Sequence, residues 1–139
     1  ARFTITMNLE RDELYLNPSI SISKSTIHRW GVFATADIAK FDVLQESPYC
    51  TFTYKELKKK SDIVTRYTYD AFDNPGTSDL VLGFGFAALY NHSTDNNAAY
   101  ELDTVNEVMR HYALADIAAG EEICIDYGYD DEESDFGDY

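Results

Sequence analysis

Asn91-His92-Ser93 follows directly on an almost wholly apolar run, Leu80 to Tyr90, that carries glycines at 83 and 85. Asparagine offers an amide that donates and accepts, and histidine an imidazole that can accept, donate or bind a metal. The residues alone leave three readings open: a solvated polar loop, an N-x-Ser glycosylation acceptor, or a half-buried group set that meets a ligand. Glycosylation needs a secretory context, and no basic region followed by an apolar stretch opens the chain. Attachment to the apolar run favours burial, and buried amides and imidazoles must find partners. Those partners could be the protein's own network or a bound molecule.

Two further stretches carry candidate chemistry. Arg29-Trp30-Gly31-Val32-Phe33 sets a tryptophan beside a glycine, whose missing side chain lets backbone approach something flat. It reads equally as a strand-entry turn with Trp30 in the core. Gly120-Glu121-Glu122-Ile123-Cys124-Ile125-Asp126-Tyr127-Gly128 alternates like a strand and ends in a tyrosine before a glycine. With 11 tyrosines and 25 acids in the chain, neither a single tyrosine nor a carboxylate pair is informative by type. His28, His92 and His111 are far apart and make no zinc spacing, so no metal is expected. No Ser-His-Asp or Cys-His order suggests a nucleophile.

The elements that must position these groups are mostly strands. Phe3–Met7, Ile20–Ile22, Ile27–Ala34, Val43–Ser47, Cys50–Tyr54, Val64–Phe72, Ala98–Leu102, Glu107–Leu114 and Ile123–Tyr127 favour extended chain. Turns are expected at Asn17-Pro18-Ser19, Asp37–Asp42, Asp73-Asn74-Pro75-Gly76-Thr77 and Ala118–Glu121. Tyr54–Lys60 suits one helical turn or an exposed loop. No repeat and no linker interrupts the pattern, so the expectation is a single mostly β domain over 1–139, with a core at about 20–130 and an acidic tail at 131–139.

Bulk composition narrows the function classes. The chain has 139 residues, 45% of them hydrophobic and 14% aromatic, which argues against a disordered chain despite the acidity. The net charge of -14 repels nucleic acid and anionic lipid and attracts basic partners. The longest apolar run is too short to span a bilayer. Cys50 and Cys124 sit among apolar or β-branched neighbours and are expected to be buried and reduced.

Taken in order, the three blocks resemble the SET-domain family of protein lysine methyltransferases. The family order is a Gly-x-Gly-type block followed by an aromatic, then Asn-His-Ser with a nearby Asn, then Gly-Glu-Glu leading through a strand to Tyr. Here it reads Arg29–Ala34, Gly83–Asn97 and Gly120–Gly128, with a likeness covering about residues 20 to 130. The size resembles the minimal viral members. The resemblance implies a β-clip-like fold of small sheets with little helix and a knot-like C-terminal crossing, in which the strand ending at Tyr127 passes beside Asn91-His92. Chains crossing so closely would explain Gly83 and Gly85.

The resemblance also implies a cofactor, S-adenosyl-L-methionine, and a lysine-bearing peptide entering from opposite faces. Asn91 and His92 resemble the residues that hold the cofactor's amine and adenine ends. Arg29, Trp30 and Gly31 resemble the segment over its methionine part, with Trp30 over the sulfonium side, where an aromatic face favours a cation. Tyr127 resembles the catalytic tyrosine, and Tyr67, Tyr69, Tyr129 and Phe136 are candidates for the substrate channel. Ser93 and Asn97 are expected to brace the loop, and Thr94, Asp95 and Asn96 to face water. Two departures stand out: Arg29 replaces the first glycine, and no cysteine cluster follows Tyr127.

The activity so implied is methyl transfer to a lysine of a basic protein, a histone tail first among them. That would make the protein intracellular, and nuclear or chromatin-bound if the substrate is histone. Small members pair, so a homodimer is expected by analogy. The alternative function is a SET-like module without turnover that binds peptide or serves a structural role.

Overall fold

The computed structural model describes residues 12–53, 67–70 and 80–127. The strand expected at Phe3–Met7, the segment Tyr54–Lys60, the turn at Asp73–Thr77 and the acidic tail lie outside these residues. Two small sheets organise the rest. One has the order β1 (Ile20–Lys24), β2 (Trp30–Ala34), β9 (Glu122–Ile125), β6 (Asn91–His92). The other has the order β4 (Tyr69–Asp70), β5 (Leu80–Gly83), β3 (Val43–Phe52), β8 (Val108–Ala113), β7 (Ala98–Asp103). The one helical element is a 3-10 turn at Gly85–Ala88, so among the described residues the fold is β with little helix. No helix among them is long and apolar enough to cross a membrane.

Expected strands and observed strands part at Pro48. Val43–Ser47 and Cys50–Tyr54 were separate in the pattern, but β3 is one strand from Val43 to Phe52. A proline cannot donate to a ladder and usually breaks one. Pro48 falls where β3 changes partner: it pairs with β8 as far as Pro48 opposite Val108, and with β5 from Tyr49 opposite Gly83 onward. The Pro48 carbonyl still accepts from Phe84 N at 3.1 Å.

The two glycines of the apolar run have different reasons. A Cβ on Gly83 would lie 2.7 Å from Ala87 Cβ and 2.8 Å from Met109 Sδ, so close packing excludes a side chain there. Gly85 is uncrowded, but its φ of 64° is left-handed, which opens the 3-10 turn and which glycine adopts without steric cost. Neither glycine is therefore explained by the C-terminal crossing: Gly83 answers to packing against Ala87 and Met109, and Gly85 to its backbone conformation. Cys124 is buried as expected, its thiol pushed up to about 12 by desolvation and then by the charge of Glu122. Cys50 is exposed, because the outer half of β3 leaves it on an open face.

β8 is central between β3 and β7 and is buried along its whole length. Its polar residues must therefore be satisfied inside. Arg110 lies in register with Glu46 on one side and Glu101 on the other. Its guanidinium donates to Glu46 Oε2 at 2.9 Å and to Glu101 Oε1 at 2.9 Å, with all three side chains nearly inaccessible. Burial opposes the charge on Arg110, but hydrogen bonds to Glu101 and Glu46 outweigh it and hold its pKa above the ordinary value. Such a triad ties three strands together, and removing one member would leave a buried charge uncompensated.

His111 faces the other side of β8, stacked on the Tyr90 ring at 4.3 Å and tilted against Tyr100 at 5.9 Å. It is wholly buried, and desolvation pushes its pKa down to about 3. The unfolded chain therefore binds a proton here below about pH 6.5 that the folded chain refuses. Stability contributed by the neutral ring is present above that pH and lost as pH falls from about 6.5 towards about 3. A His111→Phe variant, which keeps the stack, should lose markedly less stability than the parent between pH 7 and pH 4.5. Urea unfolding at the two pH values measures this, and equal losses would show that His111 does not govern the acid limb.

Candidate functional site

The C-terminal strand is the element that assembles the candidate groups. β9 pairs antiparallel with β2 (Val32 opposite Ile123, Phe33 opposite Glu122) and parallel with β6 (Asn91 opposite Cys124, His92 opposite Ile125). It thus lies between strands that are some 60 residues apart in sequence, the crossing expected of the chain. Apolar Val32, Ile123 and Ile125 are all buried and seat it on the core.

Residues 93–97 then add further bonds to β9 beyond β6. Ser93 N donates to Ile125 O at 3.0 Å, and Asn97 N to Cys124 O at 3.2 Å. The Asn97 amide does the rest: Nδ2 donates to Glu122 O at 2.9 Å, and Oδ1 accepts from Cys124 N at 2.8 Å. Asn97 therefore braces the loop against the strand, as expected. Ser93 Oγ accepts locally from Asp95 N at 3.1 Å. Thr94 and Asp95 are exposed, but Asn96 is half-buried and donates to Ala98 O at 3.0 Å, so it does more than face water.

Asn91 is 6% exposed, and its side chain joins all three blocks. Nδ2 donates to His28 O at 3.2 Å, Trp30 O at 3.1 Å and Glu122 Oε2 at 2.7 Å. Glu122 Oε1 accepts from the Ser25 hydroxyl at 2.7 Å, and Ser25 Oγ accepts in turn from Ile27 N and His28 N. Gly31 lies against this knot: a Cβ there would fall 2.2 Å from Glu122 Oε2 and 2.9 Å from Asn91 Nδ2. Arg29 is exposed and holds φ at 33°, a left-handed conformation that a glycine would enter without strain. The backbone conformation that favours glycine at 29 is thus retained with an arginine. Trp30 is 52% exposed, a face of the site rather than a core plug.

Tyr127 is held from two sides. Its backbone N donates to His92 Nδ1 at 3.0 Å, and its hydroxyl donates to the carbonyl of Tyr90. The His92 and Tyr127 rings lie 5.2 Å apart, tilted by 47°. Because Nδ1 accepts, the proton of neutral His92 sits on Nε2, which is buried without a hydrogen-bond partner among the described residues. Tyr90 itself is fixed from within, since its hydroxyl donates to Gln45 Oε1 at 2.7 Å and its ring stacks on His111.

Of the candidate residues, Arg29, Trp30, Gly31, Asn91, His92 and Tyr127 converge on this junction. Tyr67 is half-buried just ahead of β4, and Tyr69 begins β4, the edge strand of the other sheet. Tyr129 and Phe136 lie outside the described residues. Glu122, Ser25 and Tyr90 were not singled out from sequence. Glu122 was hidden among 25 acids, and the contribution of Tyr90 is a backbone carbonyl that no residue type announces. No group of three His, Cys, Asp or Glu among the described residues could hold a metal.

At the junction His28 O, Trp30 O and the Glu122 carboxylate all take the Asn91 NH2, and Gly31 leaves them room to pack. The Asn91 carbonyl oxygen is the acceptor left to a ligand, beside the exposed Trp30 and the His92–Tyr127 ring pair. This set fits S-adenosylmethionine, which carries an ammonium, a sulfonium and an adenine. The SET domain family model matches residues 29–128 of this chain. The chain is 30% identical over 108 residues to a fission yeast (Schizosaccharomyces pombe) histone-lysine N-methyltransferase, H3 lysine-37 specific, covering 75% of this chain and 72% of that protein. It is 30% identical over 125 residues to the H3 lysine-4 specific histone-lysine N-methyltransferase of Saccharomyces cerevisiae, covering 84% of this chain but only 11% of that protein. The crystal structure of a Plasmodium falciparum protein assigned as a histone methyltransferase superposes with TM-score 0.65 at 27% identity, covering 85% of this chain and 100% of that one.

The Asn97 brace generates a stability prediction. Asn97→Ala leaves Cys124 N–H and Glu122 C=O without their side-chain partners and should cost about 2 kcal/mol. Urea denaturation measures it, and a loss below about 0.5 kcal/mol would show that the amide does not hold β9.

Proposed function

The chain belongs to the SET-domain family, whose members use S-adenosylmethionine to methylate lysine side chains, and on that premise we propose that it methylates a lysine in a basic protein segment, histone tails first. The reading is supported above all by the Asn91 amide, bonded at once to the backbone of residues 28 and 30 and to Glu122. Three blocks distant in sequence meet at that one group. The histone preference rests on the substrates named for the similar yeast enzymes and on the formal charge of -14.

The bound cofactor supplies an electrophilic methyl group on a positively charged sulfur. The chain's own residues position it. Asn91 Oδ1 receives the amino end, the backbone and ring of His92 border the adenine, and Arg29, Trp30 and Gly31 flank the methionine part. Transfer to nitrogen is an in-line displacement, so holding nitrogen, carbon and sulfur in a line supplies most of the rate.

The lysine must first be neutral. With an ordinary pKa near 10.4, only about one side chain in 250 is neutral at pH 8. An apolar channel beside a positive sulfur lowers that pKa, so no strong base is required of the protein. Tyr127 acts as an orienting group: its hydroxyl donates to Tyr90 O, and that bond fixes where its oxygen stands relative to the transferring methyl. Tyr67, Tyr69, Tyr129 and Phe136 are proposed for the channel wall.

Tyr127→Phe should keep its fold and bind cofactor within about threefold of the parent, while methylation of histone-tail peptides falls by a hundredfold or more. An unchanged rate on a peptide array would remove Tyr127 from its role. Peptide affinity should also fall steeply between 50 and 300 mM salt, because exposed charges are screened. A salt-independent affinity would show that the acidic surface plays no part in substrate capture.

A further inference from the structure

We propose that Glu122 is the residue that makes this site selective for a ligand bearing a free ammonium group, by fixing which end of the Asn91 amide faces the ligand. The inference deepens the cofactor reading above and rests on it.

An asparagine amide is nearly symmetric in shape but opposite in polarity at its two ends. Around one end of Asn91 stand three acceptors: His28 O, Trp30 O and Glu122 Oε2. Only an NH2 can face three acceptors, since a carbonyl oxygen there would meet lone pairs on every side. The amide orientation is therefore imposed by its surroundings. The two carbonyls are weak arbiters, being 3.1 Å and 3.2 Å away, whereas the charged Glu122 oxygen is 2.7 Å away. Glu122 cannot drift, because its other oxygen takes the Ser25 hydroxyl at 2.7 Å and its backbone carbonyl takes Asn97 Nδ2 at 2.9 Å.

Asn91 is 6% exposed, and its Oδ1 takes no hydrogen bond among the described residues. Its one accepting atom is thus presented in a fixed direction from a buried side chain. A ligand ammonium satisfies that atom and gains the nearby negative charge of Glu122. A ligand without the amino group leaves it unsatisfied. Gly31 is part of the device, since a Cβ there would collide with the carboxylate at 2.2 Å.

Substituting Glu122→Gln keeps the shape but offers an amide in place of the carboxylate. The charged acceptor is then gone, so only the two neutral carbonyls hold the Asn91 NH2 inwards, and no carboxylate lies near a ligand ammonium. Selectivity for the ammonium would then collapse even though the fold and the adenine contacts remain.

The test is calorimetric binding of S-adenosylhomocysteine and of its deaminated analogue, S-adenosyl-4-thiobutyrate, to the full chain. The parent should prefer the amino ligand by at least about tenfold, the range expected of a charge-assisted hydrogen bond. In Glu122→Gln the preference should shrink below about threefold, mostly through weaker binding of the amino ligand. Gly31→Ala, which must displace the carboxylate, should narrow the preference in the same direction and stands in for Glu122→Gln if that variant does not fold. A preference unchanged from the parent, or equal weakening of both ligands, would overturn the assignment and leave Glu122 a purely structural residue. Failure of the unmodified chain to bind either ligand would instead remove the cofactor reading, and this inference with it.

Discussion

A parallel pairing of two residues, Asn91-His92 beside Cys124-Ile125, is the constraint on which the rest of the site depends. Parallel strands need a crossover, and here the intervening chain supplies β7 and β8 before β9 returns. The return places β9 against β2 on its other edge, so the C-terminal strand closes a sheet begun near residue 20. Without it, the Asn91 amide would lose Glu122, and Tyr127 would have neither His92 Nδ1 nor the Tyr90 carbonyl. The site is thus coupled to non-local contacts, Asn91 with Cys124 and Val32 with Ile123. Such contacts repay their loop-closure entropy only once formed, so the site is expected to assemble late in folding.

The two sheets divide the work. The five-stranded sheet has the buried Glu46–Arg110–Glu101 ladder and the His111 stack, and it fixes Tyr90 through Gln45. The four-stranded sheet has the groups proposed to face the cofactor. Tyr90 joins them: its ring is set by the first sheet and its carbonyl receives the Tyr127 hydroxyl. A packed element thereby holds Tyr127, the proposed orienting tyrosine, through one backbone atom. Sites built this way keep their geometry because the supporting groups are locked by packing.

The strands were legible because alternation and turn residues are local signals. Ile20–Lys24 after Asn17-Pro18-Ser19, and Val108–Ala113 before Ala118–Glu121, stand where the pattern put them. The convergence of Arg29–Gly31, Asn91-His92 and Tyr127 was legible only through the order of three blocks that resemble a family. Pro48 misled because a change of strand partner is a tertiary fact that no neighbour in sequence reveals. Glu122 was missed because its distinction is a contact 31 residues away, not its type, in a chain with 25 acids. Arg29 shows the converse: its residue type departs from the glycine of the family block, while its φ of 33° keeps the conformation that suits glycine.

The central claim is that the junction of these three blocks seats S-adenosylmethionine for transfer to lysine. Mass spectrometry of histones incubated with the chain and methyl-labelled cofactor tests it most directly. Label on lysine side chains, absent when Tyr127→Phe replaces the parent, is the predicted result. Saturable cofactor binding with no label on any lysine would contradict it.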